Sequence, residues 1–274
     1  MPGLHVVATP IGNLGDITLR AIEVLAGCDL IACEDTRVTG KLLKAHGIAT
    51  KLFAYHDHNA ERVRPALIER LQRGEKVALV SDAGTPLVSD PGFRLVRECI
   101  AEGIAVIPLP GASSVLAALM VAGLPTDRFL FAGFLPGKTE GRRKTLAELA
   151  PVRATLVFLE SPHRLAAALA DMSEILGTRE AAIARELTKL HEELRRGELA
   201  ALAAHYASVP TPKGEIVVVV SPPAEQAPSE DTMDDALAAA LRDMTLRDAV
   251  AQVAKDTGIA RGKVYARALE LARK

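Results

Sequence analysis

Hydrophobic and polar positions along the chain alternate between two periods. Apolar runs rich in β-branched residues predict strands at 4–8, 29–33, 76–81 and 104–109. The third has the unbroken apolar middle of a strand buried on both faces. Between them, apolar residues recur at helical spacing over 18–26 (Leu19, Ile22, Leu25), 38–45, 60–73, 93–101 and 113–121. This alternation predicts an α/β fold with a largely parallel sheet. A second set follows, with strands at 129–134, 154–160, 181–187 and 215–221 and helices at 138–149, 163–176 and 199–206. The turn Leu124-Pro125-Thr126 separates the sets. Residues 221–230 (SPPAEQAPSE) have the composition of a linker. Beyond them the pattern is helical, and helices at 245–255 and 260–272 meet at Asp256-Thr257-Gly258 in the manner of a helix-turn-helix. The expected organisation is an α/β domain at 1–123, a second at 124–222, a linker at 223–231 and a helical tail at 232–274.

Composition narrows the function classes. Of 274 residues, 49% are hydrophobic and 24% charged, as in a soluble globular protein with a sizeable core. Aromatics are 3% and Trp is absent, which argues against a base-stacking platform. Lys and Arg number 33 against 34 Asp and Glu, so the chain is no basic coat for nucleic acid. Charge is uneven, however: residues 241–274 hold eight Lys/Arg and four Asp/Glu, a local +4. That suits a solvated helical cap or a small nucleic-acid-binding appendage. Cys28, Cys33 and Cys99 form no CxxC, so neither a disulfide framework nor a cysteine zinc site is expected. A reducing, cytoplasmic location fits. Without a signal peptide or an apolar run of roughly 18 residues, no membrane association is expected.

Three strand-to-helix loops carry candidate chemistry. ATPIGNLGDIT after the first strand has two glycines and a proline that let a ligand approach backbone. SDAGTPLVSDPG (81–92) follows the 76–81 strand and repeats SDxG, in the place where open α/β sheets bind ligands. LPGASS (109–114) ends in a serine able to cap a helix whose free N–H groups suit a carboxylate or phosphate. No GxGxxG or Walker loop follows the first strand, which disfavours a Rossmann dinucleotide enzyme. His56-Asp57-His58 lacks further ligands at metal-binding spacing, so no metal site is expected. Ser161, His163 and Asp171 lack a GxSxG elbow. The charged run 185–197 follows a predicted buried strand directly, and charges at a strand's carboxyl end sit where sites sit.

Taken in order, VATPIGNLGDITLRAIEVL, CEDTR (33–37), LVSDAGTPLVSDPG, PGASS, LVFLESPHRL, ARELTKLHEELRRG and KGEIVVVV closely resemble the small-subunit ribosomal RNA methyltransferase family within the tetrapyrrole methylase superfamily. The resemblance covers about residues 4–221, and the tail looks like that family's helical extension. It implies a class III methyltransferase fold, two α/β domains with the cofactor between them, and a small C-terminal helical extension. It implies S-adenosylmethionine-dependent methylation of a cytidine ribose 2′-hydroxyl of 16S rRNA in the decoding centre of the small ribosomal subunit, by a homodimer. Carried over by motif, cofactor contacts fall on Pro10, Asp82, Ala83, Gly84, Thr85, Pro86, Ser113 and Ser114, and in the second half on Phe158, Glu160, Leu187 and Thr188. A ribose hydroxyl is a poor nucleophile until its proton leaves, and Asp35, His56 and Glu186 are candidates to take it. RNA requires concentrated positive charge, expected at Arg37, Lys138, Arg142, Arg143, Lys144, Arg195, Arg196, Arg261 and Lys263.

Two other classes compete. A corrin or porphyrin precursor methylase, or a diphthine synthase, shares the superfamily but leaves EDTR, ESPHRL and the basic tail unexplained. A non-enzymatic helix-turn-helix regulator leaves the shaped loops without a purpose.

Overall fold

The computed structural model describes residues 1–87, 92–224, 230–257 and 259–271. Its first sheet contains β1 (Gly3–Val7), β2 (Leu30–Cys33), β3 (Leu52–Ala54), β4 (Lys76–Val80) and β5 (Val106–Leu109), interleaved with α1 (Leu19–Gly27), α2 (Thr36–Ala45), α3 (Ala60–Gln72), α4 (Phe93–Ala101) and α5 (Ser114–Ala122). Strand order is β3-β2-β4-β1-β5, and every pairing is parallel. The unbroken apolar run in β4 has a direct cause. Val77 and Leu79 enter the core under α3 and α4, whereas Ala78 and Val80 enter the one under α1 and α2.

The second sheet contains β6 (Phe129–Phe134), β7 (Thr155–Glu160), β8 (Glu180–Arg185), β9 (Glu193–Glu198) and β10 (Ile216–Val220), with α6 (Thr139–Leu149), α7 (Leu165–Leu176) and α8 (Leu199–Ser208). Its order is β6-β7-β10-β8-β9; β6 and β7 run parallel and the other pairs antiparallel. Central β10 (IVVVV) is buried throughout. One face packs on α6–α8 and the other on α5, where Val115, Ala118 and Leu119 meet Val157, Ala182 and Val217. Helix α5 thus joins the two sheets, and residues 1–223 form one compact unit.

Two strands depart from the periodic pattern. β3 has three residues, too few to register a period. β9 (ELRRGE) is charged because it is an edge strand, where charge discourages further pairing. The second half of the charged run, expected only as charge at a strand's carboxyl end, turns back to pair with β8.

Residues 224–274 form a separate unit. Helices α9 (Glu230–Asp243), α10 (Leu246–Thr257) and α11 (Arg261–Leu271) close around Leu237, Val250, Val253, Val264 and Ala268. Thr245 caps α10, accepting the Asp248 N–H at 3.3 Å and donating to its carboxylate at 2.6 Å. The expected linker falls largely on 225–229, outside the described residues, as do Gly258 and 272–274. Among the described residues, no helix is long and apolar enough to cross a membrane, and no His/Cys/Asp/Glu cluster could hold a metal ion.

Candidate active site

The loops at the carboxyl ends of β1, β4 and β5 are latched together. The Thr9 N–H donates to Gly84 O at 2.8 Å, the Gly84 N–H returns a bond to Thr9 O at 3.1 Å, and the Thr9 hydroxyl donates to Ser81 O at 3.2 Å. The Thr85 hydroxyl donates to Ala112 O at 3.2 Å. Ser113 caps α5 by accepting the Leu116 N–H at 3.4 Å. Gly84 has φ +80°, and a Cβ there would lie 3.3 Å from Ile11 Cγ2. At Gly111 a Cβ would lie 2.9 Å from that of Ala8, so the third loop packs on the start of the first only as glycine.

These loops and the second sheet enclose a cleft of about 410 Å³, within the usual range for small-molecule sites. Asp82, Ala83, Gly84, Thr85, Ser113, Ser114 and Glu160 line it, as do Ile11, Phe131, Phe134, Leu159 and the 214–217 segment. Glu160 is 3% exposed. Its Oε1 accepts the Ser161 N–H at 2.7 Å and lies 3.3 Å from Arg164 Nε, while buried Oε2 has no hydrogen-bond partner. An unmatched buried acceptor on a cleft wall invites a donor from a ligand. Apolar rings and aliphatics, a glycine cradle, a capped helix start and this free acceptor together fit an adenosyl sulfonium amino acid.

Several expected contacts lie elsewhere. Pro10 lines a smaller cavity of about 190 Å³ that shares Asp82 with the cleft, and Pro86 is buried in the loop. Phe158 is a correction: alternation along β7 sends it to the α6–α8 core, while Leu159 reaches the cleft. Leu187 packs into the core between α5 and the sheet, and Thr188 (φ +66°) is likewise absent from the lining. The residues overlooked in the second half include Phe134, an exposed aromatic, and Gly214, the turn residue of KGEIVVVV. Residues 88–91 of the long loop lie outside the described residues.

The three expected proton acceptors do not converge. Asp35 caps α2, accepting the Arg37 N–H at 2.8 Å and pairing with the Arg37 guanidinium at 2.6 Å; that side chain holds its pKa down to about 2. Such a carboxylate is a weak proton acceptor. Its neighbour Glu34 is instead pushed up, first by burial and then by Asp82 and Asp57. His56 follows β3 with its Nδ1 buried and unpartnered, and lines neither cavity. Glu186 (φ +51°) accepts from Lys189 Nζ at 2.8 Å and from the Glu215 N–H at 2.9 Å, and the lysine chiefly lowers its pKa. A Cβ at Gly214 would overlap this carboxylate, which is why the cleft wall turns there on glycine.

The expected RNA contacts also divide. Arg142 is a correction. It is 4% exposed, its Nε donates to Asp171 at 2.6 Å, and it ties α6 to α7 rather than facing solvent. Arg143 pairs with Glu174 and Asp171. Lys138 and Lys144 are exposed. Arg196 donates to the Val121 and Ala122 carbonyls at the end of α5, and Arg195 lies 3.5 Å from Glu193. Arg37, Arg261 and Lys263 are exposed.

Residues 3–203 match the model of the tetrapyrrole (corrin/porphyrin) methylases, and 226–272 that of the RsmI C-terminal HTH domain. A Mesorhizobium japonicum protein called ribosomal RNA small subunit methyltransferase I is 55% identical over 98% of this chain and 92% of its own. Diphthine synthase superposes with TM-score 0.63 at 18% identity, over 80% of this chain and 89% of that one. Uroporphyrin-III C-methyl transferase from Thermus thermophilus, complexed with S-adenyl homocysteine, gives 0.56 at 20%, over 79% and 96%. These two likenesses concern the fold.

Proposed function

Because this chain belongs to the tetrapyrrole methylase family, and within it to the ribosomal RNA small subunit methyltransferases I, we propose that its cleft binds S-adenosylmethionine for methylation of a cytidine 2′-hydroxyl of 16S rRNA. The observation that carries this reading is the 55% identity over nearly the whole length of both chains. Bound S-adenosylmethionine supplies an electrophilic sulfonium methyl. The chain's own contribution is placement, the largest lever for an in-line displacement. Gly84 and its latched neighbours offer backbone at close range. The Ser113–Ser114 start of α5 offers N–H groups to a carboxylate. Glu160 Oε2 accepts from an amino or hydroxyl group. Phe131, Phe134 and Leu159 exclude water from the wall opposite the loops.

Exposed Lys138, Lys144, Arg37, Arg195, Arg261 and Lys263 are the phosphate contacts in this reading, which Arg142 leaves. A homodimer is supported by Leu116 and Met120, exposed apolar side chains one turn apart on α5. A cytoplasmic location is supported by three free, buried thiols. The test is calorimetric titration with S-adenosylmethionine, followed by transfer of labelled methyl to small and large ribosomal subunits. Saturable binding with label only in small-subunit RNA is expected. Binding without transfer to ribosomal RNA would overturn the substrate assignment.

A further inference from the structure

The smaller cavity lies between the loop after β1 and helix α2, and we infer that it receives the base of the nucleotide whose ribose is methylated. The inference rests on the RNA methyltransferase reading above. At about 190 Å³ the cavity is below the range of whole-cofactor pockets and suits a single ring. Its two flanks come from different elements. Leu14 of the loop and Val38 of α2 are 48% and 39% exposed, apolar surface left open to solvent at a cavity wall. Aliphatic flanks of this kind take the faces of a base without requiring aromatic partners, which this chain largely lacks.

The cavity shares one lining residue with the large cleft and is tied to it by one further side chain. Asp82 lines both, with its Oδ1 accepting the Asp35 N–H at 3.0 Å, so the carboxylate is held at the junction. Gly12 lines the smaller cavity, and the Lys189 aliphatic chain occupies the space a Gly12 Cβ would fill. The Lys189 ammonium in turn holds Glu215 of the cleft wall at 3.0 Å. A nucleotide with its base in the small cavity therefore has its ribose at the boundary with the cleft, where the Asp82 carboxylate can accept the 2′-hydroxyl hydrogen bond.

Charge on α2 agrees. Arg37, Lys41 and Lys44 stand at i, i+4 and i+7, all exposed on one helical face, and Lys41 itself lines the cavity. Arg37 is paired with Asp35, whereas Lys41 and Lys44 have no ion-pair partner among the described residues. Two unpaired ammonium groups beside a base-sized cavity suit the phosphates flanking an unstacked nucleotide.

The test fills the cavity from each wall in the full-length protein, with Val38→Trp and separately Leu14→Trp, and neutralises the helix with Lys41→Ala/Lys44→Ala. Three quantities are read: S-adenosylmethionine affinity, small-subunit RNA affinity across a salt series, and methyl transfer. Both tryptophan variants should keep cofactor affinity within about twofold and lose more than about tenfold in transfer at saturating cofactor. The double alanine variant should show a salt slope shallower by about 1.4, at roughly 0.7 per lost contact to a single strand. Transfer at the wild-type rate in either tryptophan variant would overturn the inference. So would loss of cofactor binding in both, which would make the cavity part of the cofactor site. A parallel salt slope would remove α2 from the RNA path, and with it the argument from charge. Wild-type enzyme that binds cofactor but methylates no ribosomal RNA would overturn the underlying reading as well, which separates the two failures.

Discussion

Replacing Gly84 with Ala tests the loop architecture at its tightest point. The residue sits at φ +80°, where an L side chain costs about 1–2 kcal/mol. Its new methyl would lie 3.3 Å from Ile11 Cγ2 and 3.8 Å from Ala112 O, so all three loops are touched at once. Relief requires the 82–85 segment to move away from Thr9, at the expense of the paired bonds of 2.8 and 3.1 Å. Gly74 supplies the control. Its φ is +84°, nearly the same, but a Cβ there meets nothing within 4 Å. Gly74→Ala should lose about 1–2 kcal/mol, or about 2–8 °C in Tm at the 2–4 °C per kcal/mol expected for units of this size, and Gly84→Ala more, because its latch bonds are disturbed as well. Gly84→Ala alone should lose at least about tenfold in S-adenosylmethionine affinity by calorimetry, equivalent to about 1.4 kcal/mol. Wild-type cofactor affinity in Gly84→Ala, or an equal loss in Gly74→Ala, would refute the assignment of this loop to the cofactor.

Three further outcomes follow from the geometry. Arg142→Ala leaves Asp171 buried without its main partner and should cost about 3–5 kcal/mol in denaturant unfolding, whereas Arg142→Met with Asp171→Leu should recover most of it; RNA affinity of the folded protein should be unchanged. Arg37→Ala should raise the Asp35 pKa from about 2 toward 3.8, followed by carboxyl NMR titration. Because that pKa is depressed in the folded state, the wild-type pair contributes stability above pH 3.8 that disappears as pH falls through about 2, and the variant should lack this acid dependence. Removal of 224–274 should leave cofactor affinity intact and weaken RNA binding, with a shallower salt dependence, since that unit is separate and the 241–274 segment carries +4.

Much of the fold is legible along the chain where one element serves one periodic role. Helix α4 and strand β6 run over the residues their patterns indicate, Phe93–Ala101 and Phe129–Phe134. The cofactor loops are legible because close backbone approach demands glycine, and Gly84 and Gly111 stand where the loops meet. What local pattern misses is set by distant partners. Arg142 reads as one of three RNA-facing cations until α7 brings Asp171, twenty-nine residues on, against it. Phe158 reads as a site residue because its motif does, but strand parity sends it to the opposite face from Leu159. β9 goes unpredicted as a strand because this charged edge strand has no apolar signature to give. Asp35 reads as a free carboxylate, while Arg37 two residues on already occupies it.

The most direct test of the central claim is the identity of the methylated atom. Small ribosomal subunits carrying unmodified 16S rRNA are incubated with the protein and methyl-labelled S-adenosylmethionine, and the RNA is digested to nucleosides for mass analysis. The account predicts about one methyl per RNA, recovered as 2′-O-methylcytidine. Label on a base, label on a nucleoside other than cytidine, or an RNA left unlabelled by cofactor-loaded wild-type enzyme would contradict it.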